Sequence, residues 1–124
     1  MKTILVVENE EFNRDLLTQL LEDDYQVLIA VDGMAGIELA KSKRPDLILM
    51  DLSLPVIDGW EVTRRIKADD KLNSIPVIAV TASAMQGDEE RARAAGCDGY
   101  ITKPIDEDLL FANLERFLGD HAVE

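Results

Sequence analysis

The sequence has one cysteine, Cys97, and one histidine, His121. A lone cysteine cannot close an internal disulfide, which suits a reducing compartment, so a cytoplasmic location is expected. Basic residues are scarce: 13 Lys and Arg face 25 Asp and Glu, a net charge of −12. Nucleic-acid binding needs a basic face that neutralises phosphates, so this balance argues against a nucleic-acid partner. Long apolar runs are missing as well. Ile4–Val7 is followed at once by Glu8, too short for a secretion signal, and no stretch approaches a membrane span, so no membrane partner is expected. Repeats, low-complexity tracts and internal linkers are also lacking.

What the chain does have is alternation. Its 124 residues, 47% of them hydrophobic, suit one compact domain, expected over 1–119 with 120–124 as a fraying tail. Five short apolar runs, Ile4–Val7, Val27–Val31, Leu47–Met50, Pro76–Val80 and Gly99–Thr102, alternate with segments of helical spacing. Near-continuous Val, Ile and Leu over four or five residues suits strands covered on both faces of a parallel sheet. In the helical segments Phe12, Leu16 and Leu20 recur every four residues with Leu17 and Leu21 beside them. Val62 and Ile66 follow, then Met85, Ala92 and Ala95, then Leu110, Leu114, Phe117 and Leu118. Pro45 should stop the second helix, Gly96 and Gly119 should cap the ends of the fourth and fifth, and Asp106 should cap the start of the last. Repeated βα units predict an α/β fold, a doubly wound parallel sheet with right-handed crossovers and helices on both faces.

In such sheets chemistry sits beyond the carboxyl ends of the strands. After strand one come Glu8, Asn9 and Glu10; after strand three, Asp51, Leu52 and Ser53; strand four ends at Thr81, followed by Ala82; strand five leads to Lys103 and Pro104. The crossover after strand two offers only Asp32 and Gly33. With strand order 2-1-3-4-5, the other four loops share one edge. A cluster of Glu, Asn, Asp, Thr and Lys suits a hard cation together with an anionic phosphoryl group. An Asp closing an apolar buried strand is costly unless it is paired or binds metal, which sets Asp51 apart from a turn-capping residue. Plainer readings stand for the others: Thr81 and Tyr100 as strand residues, Lys103 as a solvated loop lysine, Asn9 as a helix N-cap, and Cys97 as a small filler beside Gly96.

Four segments carry a resemblance: ILVVENEEFNRDLL at 4–17, PDLILMDLSLPVIDGWEV at 45–62, IPVIAVTASA at 75–84 and GYITKP at 99–104. In this order and spacing they closely resemble the response-regulator receiver family of two-component signalling, over nearly the whole chain from Lys2 to about Leu118. The resemblance implies a flavodoxin-like (βα)5 fold with order 2-1-3-4-5. It implies Asp51 as phosphoacceptor, Lys103 as its cationic partner, Thr81 as switch hydroxyl and Tyr100 as switch aromatic. It further implies Mg²⁺ held by Glu8, Asn9, Asp51 and the backbone carbonyl of Ser53, and a cis Lys103–Pro104 bond. The donor would be a phosphohistidine on a sensor histidine kinase or histidine phosphotransfer protein. The output would be contact with a downstream target protein across the face of helix four, strand five and helix five. Such a module catalyses only its own phosphorylation and dephosphorylation, and is not otherwise an enzyme.

The chemistry agrees with that reading. A carboxylate is a weak nucleophile and both reactants are anionic, so positive charge must be placed where negative charge gathers. His121 lies in the expected tail, so no internal His-to-Asp relay is expected. One position departs from the family: its strand-one acidic pair reads Glu8 and Asn9 here, and an amide brings an oxygen without a charge, so weak Mg²⁺ binding is expected. The alternative function is a degenerate receiver that binds proteins without phosphorylation, against which Asp51, Thr81 and Lys103 all remain. A haloacid-dehalogenase-type phosphatase would want a second Asp where Ser53 stands. A flavodoxin-type carrier would need a phosphate loop where Glu8, Asn9, Glu10 and Glu11 would repel phosphate.

Overall fold

The structure, a computed structural model, describes residues 1–82 and 88–119. Met85, expected on helix four, and the expected tail with His121 lie outside the described residues. The elements are β1 (Thr3–Val7), α1 (Glu11–Leu21), β2 (Gln26–Ala30), α2 (Gly33–Lys43), β3 (Leu47–Asp51), α3 (Gly59–Ala68), β4 (Val77–Thr81), α4 (Asp88–Ala95), β5 (Gly99–Thr102) and α5 (Glu107–Leu118). All five strands are parallel, in the expected order β2-β1-β3-β4-β5.

The apolar runs are continuous because each strand feeds two cores. Ile4 and Val6 of β1, Leu47 and Leu49 of β3, and Ile78 and Val80 of β4 face Leu17 and Leu21 of α1 and Leu110 and Leu114 of α5. Their alternate neighbours, Leu5, Val7, Ile48, Met50, Val77 and Ala79, face Ile37 and Ala40 of α2, Val62 and Ile66 of α3, and Ala92 of α4. Burying each such aliphatic side chain contributes about 1.5–3 kcal/mol. Cys97 belongs to the second core: it is buried, its thiol donates to Thr63 Oγ1 at 3.8 Å, and burial pushes that thiol above its ordinary pKa. That is the environment of an inert filler, as expected.

The helix boundaries follow local chemistry. Asp32 and Asp58 cap α2 and α3 by accepting from Ala35 N at 2.8 Å and Glu61 N at 3.0 Å. Asp106 caps α5 through Asp108 N and Leu109 N. Helix α2 stops at Arg44, one residue before Pro45, and Gly96 ends α4 at φ 109°, where a Cβ would be strained. Between α3 and β5, Lys67 Nζ joins the Asn73 and Ile75 carbonyls to Asp98 Oδ2, at 3.2, 2.8 and 2.8 Å. The Arg91 guanidinium of α4 lies 4.4 Å from the Trp60 ring centre of α3.

Three expectations need correction. Strand β2 spans Gln26–Ala30, one residue earlier than the apolar run suggests, and Val31 is half exposed. Asn9 is not a helix cap: Glu10 holds the N-cap position of α1 and makes no side-chain cap bond. Finally, the stripe Phe12–Leu16–Leu20 is not the core face of α1. Phe12 is 74% exposed, Leu16 and Leu20 are half-buried, and Leu17 and Leu21 are the residues that reach the sheet. The reason is the helix face: at about 100° per residue Phe12 lies roughly 140° around α1 from Leu17 and roughly 180° from Leu21, on the side turned away from the sheet. Leu17→Ala is therefore expected to lower unfolding free energy by about 2–4 kcal/mol and Phe12→Ala by under about 0.5 kcal/mol in urea melts.

Candidate functional site

Polar side chains are rarely buried in this molecule, and where they are, they gather. Among the described residues the buried polar or charged ones are Glu8, Asp51, Thr63 and Thr81, and all but Thr63 lie at the carboxyl edge of the sheet. The sheet itself puts them there. Asp51 and Thr81 are the last ladder residues of β3 and β4, opposite Val80 and Thr102. Glu8 extends the ladder one residue past β1, its N–H donating to Ala30 O at 3.0 Å. Lys103 does the same past β5, donating its N–H to Thr81 O at 2.7 Å. The bond to Pro104 that follows is cis, as expected.

The side chains converge on an ion-pair cluster. Lys103 Nζ lies 2.8 Å from Glu8 Oε1 and 3.8 Å from Asp51 Oδ1. Asp51 Oδ1 accepts from Ser53 N at 3.0 Å and Ser53 Oγ at 2.9 Å, whereas Oδ2 is buried and accepts from no group. Glu8 Oε2 accepts from Glu10 N at 3.1 Å. Burial pushes the Glu8 carboxyl above its ordinary pKa of 4.5; Lys103 opposes that shift and neighbouring Asp51 adds to it.

Two carboxylates and one ammonium leave this pocket short of positive charge, and Asp51 Oδ2 has nothing to satisfy it. Those are the marks of a site built for a further cation. Among the described residues no group of three or more His, Cys, Asp or Glu gathers, so a cage made only of carboxylates is not formed. The donor set fits Mg²⁺, which takes one or two carboxylates and keeps several waters. Asn9 is exposed next to this cluster and caps nothing, so its amide oxygen is at liberty to serve. Glu10 is turned toward α1 instead, accepting from Asn13 Nδ2 at 3.2 Å.

Of the expected site residues, Glu8, Asp51, Ser53 and Lys103 make direct contacts with one another, Thr81 joins through its strand register, and Asn9 adjoins Glu8 in the chain. Tyr100 stands apart, half-buried against the core on the α2–α4 face. Gly59 was not singled out from sequence. A Cβ there would overlap the carbonyl oxygen of Asp51 and lie 2.7 Å from Leu52 Cα, so the first residue of α3 is wedged against the Asp51 backbone. The signal available was the Asp58–Gly59 pair at a helix start. The Glu8–Lys103 pairing also went unread, because strand order alone does not say which carboxylate the lysine takes.

Known proteins resemble this chain. Residues 4–115 match the family model "Response regulator receiver domain". The polar-differentiation response regulator DivK of Brucella anthropi is 47% identical over 120 residues, covering 96% of this chain and 98% of that protein. The receiver domain of sensor histidine kinase PA1611 from Pseudomonas aeruginosa PAO1, with a magnesium ion coordinated in its active-site cleft, superimposes with a TM-score of 0.88 at 38% identity, over 96% of this chain and 98% of that one. The receiver domain of Ssk1, in a co-crystal with the Saccharomyces cerevisiae histidine phosphotransfer protein Ypd1, gives a TM-score of 0.86 at 28% identity, covering 94% of this chain and 88% of the other.

Glu8 and Asp51 crowd one another, and Asp51→Asn relieves this while keeping an oxygen for the Ser53 donors. In metal-free buffer at neutral pH the variant should be more stable than wild type by about 1–2 kcal/mol, and added Mg²⁺ should stabilise wild type more than the variant. Urea melts with and without Mg²⁺ check both; a less stable variant would show that Asp51 is already well compensated.

Proposed function

The chain belongs to the response regulator receiver family, a two-component signalling module, and from that premise we propose that Asp51 accepts a phosphoryl group from a partner's phosphohistidine. The observation that carries the reading is the buried, unpartnered Oδ2 of Asp51 in a pocket short of positive charge beside Lys103. The partner is read as a sensor histidine kinase or a histidine phosphotransfer protein, a class represented among relatives by the Ypd1 complex. The fold from 1 to 119 is taken as the receiver unit, and its setting as the cytoplasm.

The side chains of Glu8, Asn9 and Asp51 and the Ser53 carbonyl would hold Mg²⁺, which would supply positive charge against the phosphoryl oxygens when bound; the magnesium in the PA1611 receiver supports this assignment. The rest is the work of the chain. Asp51 Oδ2 attacks phosphorus, and the donor's P–N bond breaks with its electron pair returning to the imidazole. Lys103, held 2.8 Å from Glu8, would turn its ammonium onto a phosphoryl oxygen. The Thr81 hydroxyl donates to another oxygen, and exposed Ala82 leaves room for the donor. The protein thereby promotes only its own modification and its reversal.

Signalling follows from a two-state bias. Thr81 is drawn toward the phosphoryl group and half-buried Tyr100 moves inward, reshaping the face of α4, β5 and α5 for a downstream target protein. A phosphorylation-independent binding module is the second reading, favoured by Asn9 where the family carries an acid.

Treatment with acetyl phosphate and Mg²⁺ should add one phosphoryl group by intact mass, and none in Asp51→Asn. A full shift in the variant would remove Asp51 from the role, and no shift in wild type would favour the second reading. Asn9→Asp should tighten Mg²⁺ about tenfold in calorimetric titration. A unit charge pair at about 4 Å is worth roughly 4 kcal/mol at an effective dielectric near 20, of which desolvation and repulsion from Glu8 and Asp51 leave about 1–2. Equal affinities would show that water or a carbonyl already supplies what Asn9 lacks.

A further inference from the structure

We propose that the cleft between the ends of α2 and α3 binds a small oligophosphate, inorganic pyrophosphate or the pyrophosphate portion of a nucleoside di- or triphosphate, at a site separate from the Asp51 pocket. The cleft holds about 370 Å³ and is lined by Lys41, Arg44, Asp69, Lys71 and Leu72. That volume falls in the range of small-ligand sites, roughly 300–1,000 Å³. Lys41 and Arg44 stand at the end of α2, and Lys71 in the turn after α3. Strand β3 begins at Leu47, just after Arg44, so the cleft lies at the amino edge of the sheet, whereas Asp51 closes β3 at the carboxyl edge.

Charge is what marks the cleft. Acidic residues outnumber basic ones 25 to 13, so a cation on this surface has carboxylates within reach. Elsewhere the pairs form: Arg65 with Glu61, Lys67 with Asp98, Arg93 with Glu89. Among the described residues Lys41, Arg44 and Lys71 make no ion pair and no side-chain hydrogen bond. The one acid in the lining is turned to another task, for Asp69 Oδ1 accepts from Lys71 N at 2.8 Å and closes the turn. The helix dipole accounts for a cation in the last turn of α2, such as Lys41, but not for Lys71 on a different segment. Nor does the helix end account for Arg44, which takes φ 44°, the left-handed position where glycine is the usual residue.

Three cations without counter-ions match a ligand of high charge density. Two linked phosphates carry about three negative charges and offer acceptor oxygens to all three side chains. The planar Arg44 guanidinium can take two of those oxygens at once. A single carboxylate would answer only one of the cations. A nucleic acid fits less well, because a net charge of −12 repels a long polyanion reaching beyond the cleft. A small ligand feels chiefly the field within a screening length of about 8 Å.

Calorimetric titration in metal-free buffer, where the Asp51 pocket repels anions, tests this with pyrophosphate and ATP as probes. Saturable pyrophosphate binding is expected, weakened about tenfold in Lys41→Gln/Lys71→Gln by the loss of two exposed charge contacts. Arg64→Gln/Arg93→Gln changes the net charge equally and should bind as wild type does. All four residues are exposed, so the urea midpoint should change little in either variant. Equal affinity for the two probes would assign recognition to the phosphates alone, and tighter ATP would add a nucleoside contact; both support the site. Absence of saturable pyrophosphate binding at millimolar concentration overturns it, as does binding of ATP without pyrophosphate. Equal weakening in the two double variants also overturns it, since net charge would then be the cause. So do amide shifts on titration that move at Asp51 and Ser53 and not at Lys41, Arg44 and Lys71.

Discussion

Among the described residues, two carboxylates, Glu8 and Asp51, are buried at one edge of a sheet with a single ammonium, Lys103, beside them. Burying a charge is costly unless it is paired, and here the pairing is incomplete. The cost falls on Glu8, whose carboxyl is pushed above its ordinary pKa, and on the unsatisfied Oδ2 of Asp51. Most of the remaining structure can be read as what holds this unfavourable arrangement in place. The two cores on either side of the sheet supply the stability that the site draws on, and the strand ladders fix where each charged group emerges.

The rigidity is graded around that site. Asp51 is fixed from below by its ladder with β4, from the side by the wedge of Gly59, and at Oδ1 by Ser53. Lys103 is fixed through its backbone to Thr81, yet its side chain can choose between two carboxylates at 2.8 and 3.8 Å. A group held firmly at its base and loosely at its tip is suited to respond when a new anion enters. Thr81 shares that backbone link, so Lys103 and the Thr81 hydroxyl sit at the joined ends of neighbouring strands. The Arg91–Trp60 stack gives α4 a second connection, to the helix whose first residue touches the Asp51 backbone.

Much of this was legible in the residues. The runs from Ile4 to Val7 and Leu47 to Met50 could be placed as strands because both faces are covered, and the loops after them carried the polar residues that chemistry needs. Family likeness then attaches proposed roles to this cluster of groups. What stayed hidden was decided by tertiary geometry. Phe12 and Leu17 lie roughly 140° apart on a helical wheel, and which of the two apolar faces of α1 meets the sheet is decided by tertiary packing. Asn9 is as good a cap by type as any residue, yet the helix begins one position later. The preference of Lys103 for Glu8 depends on side-chain reach across strand ends, and the role of Gly59 on a close approach between α3 and β3, neither of which spacing along the chain records.

On the proposed reading, a divalent cation completes the pocket formed by these carboxylates. Amide chemical shifts of the wild-type protein, followed through a Mg²⁺ titration, test it most directly. Saturable changes concentrated at Glu8, Asn9, Asp51, Ser53 and Lys103 are the predicted result. Changes that fail to saturate, or that spread over exposed acidic residues such as Glu89, Glu107 and Asp108 while leaving Asp51 and Ser53 unmoved, would contradict it.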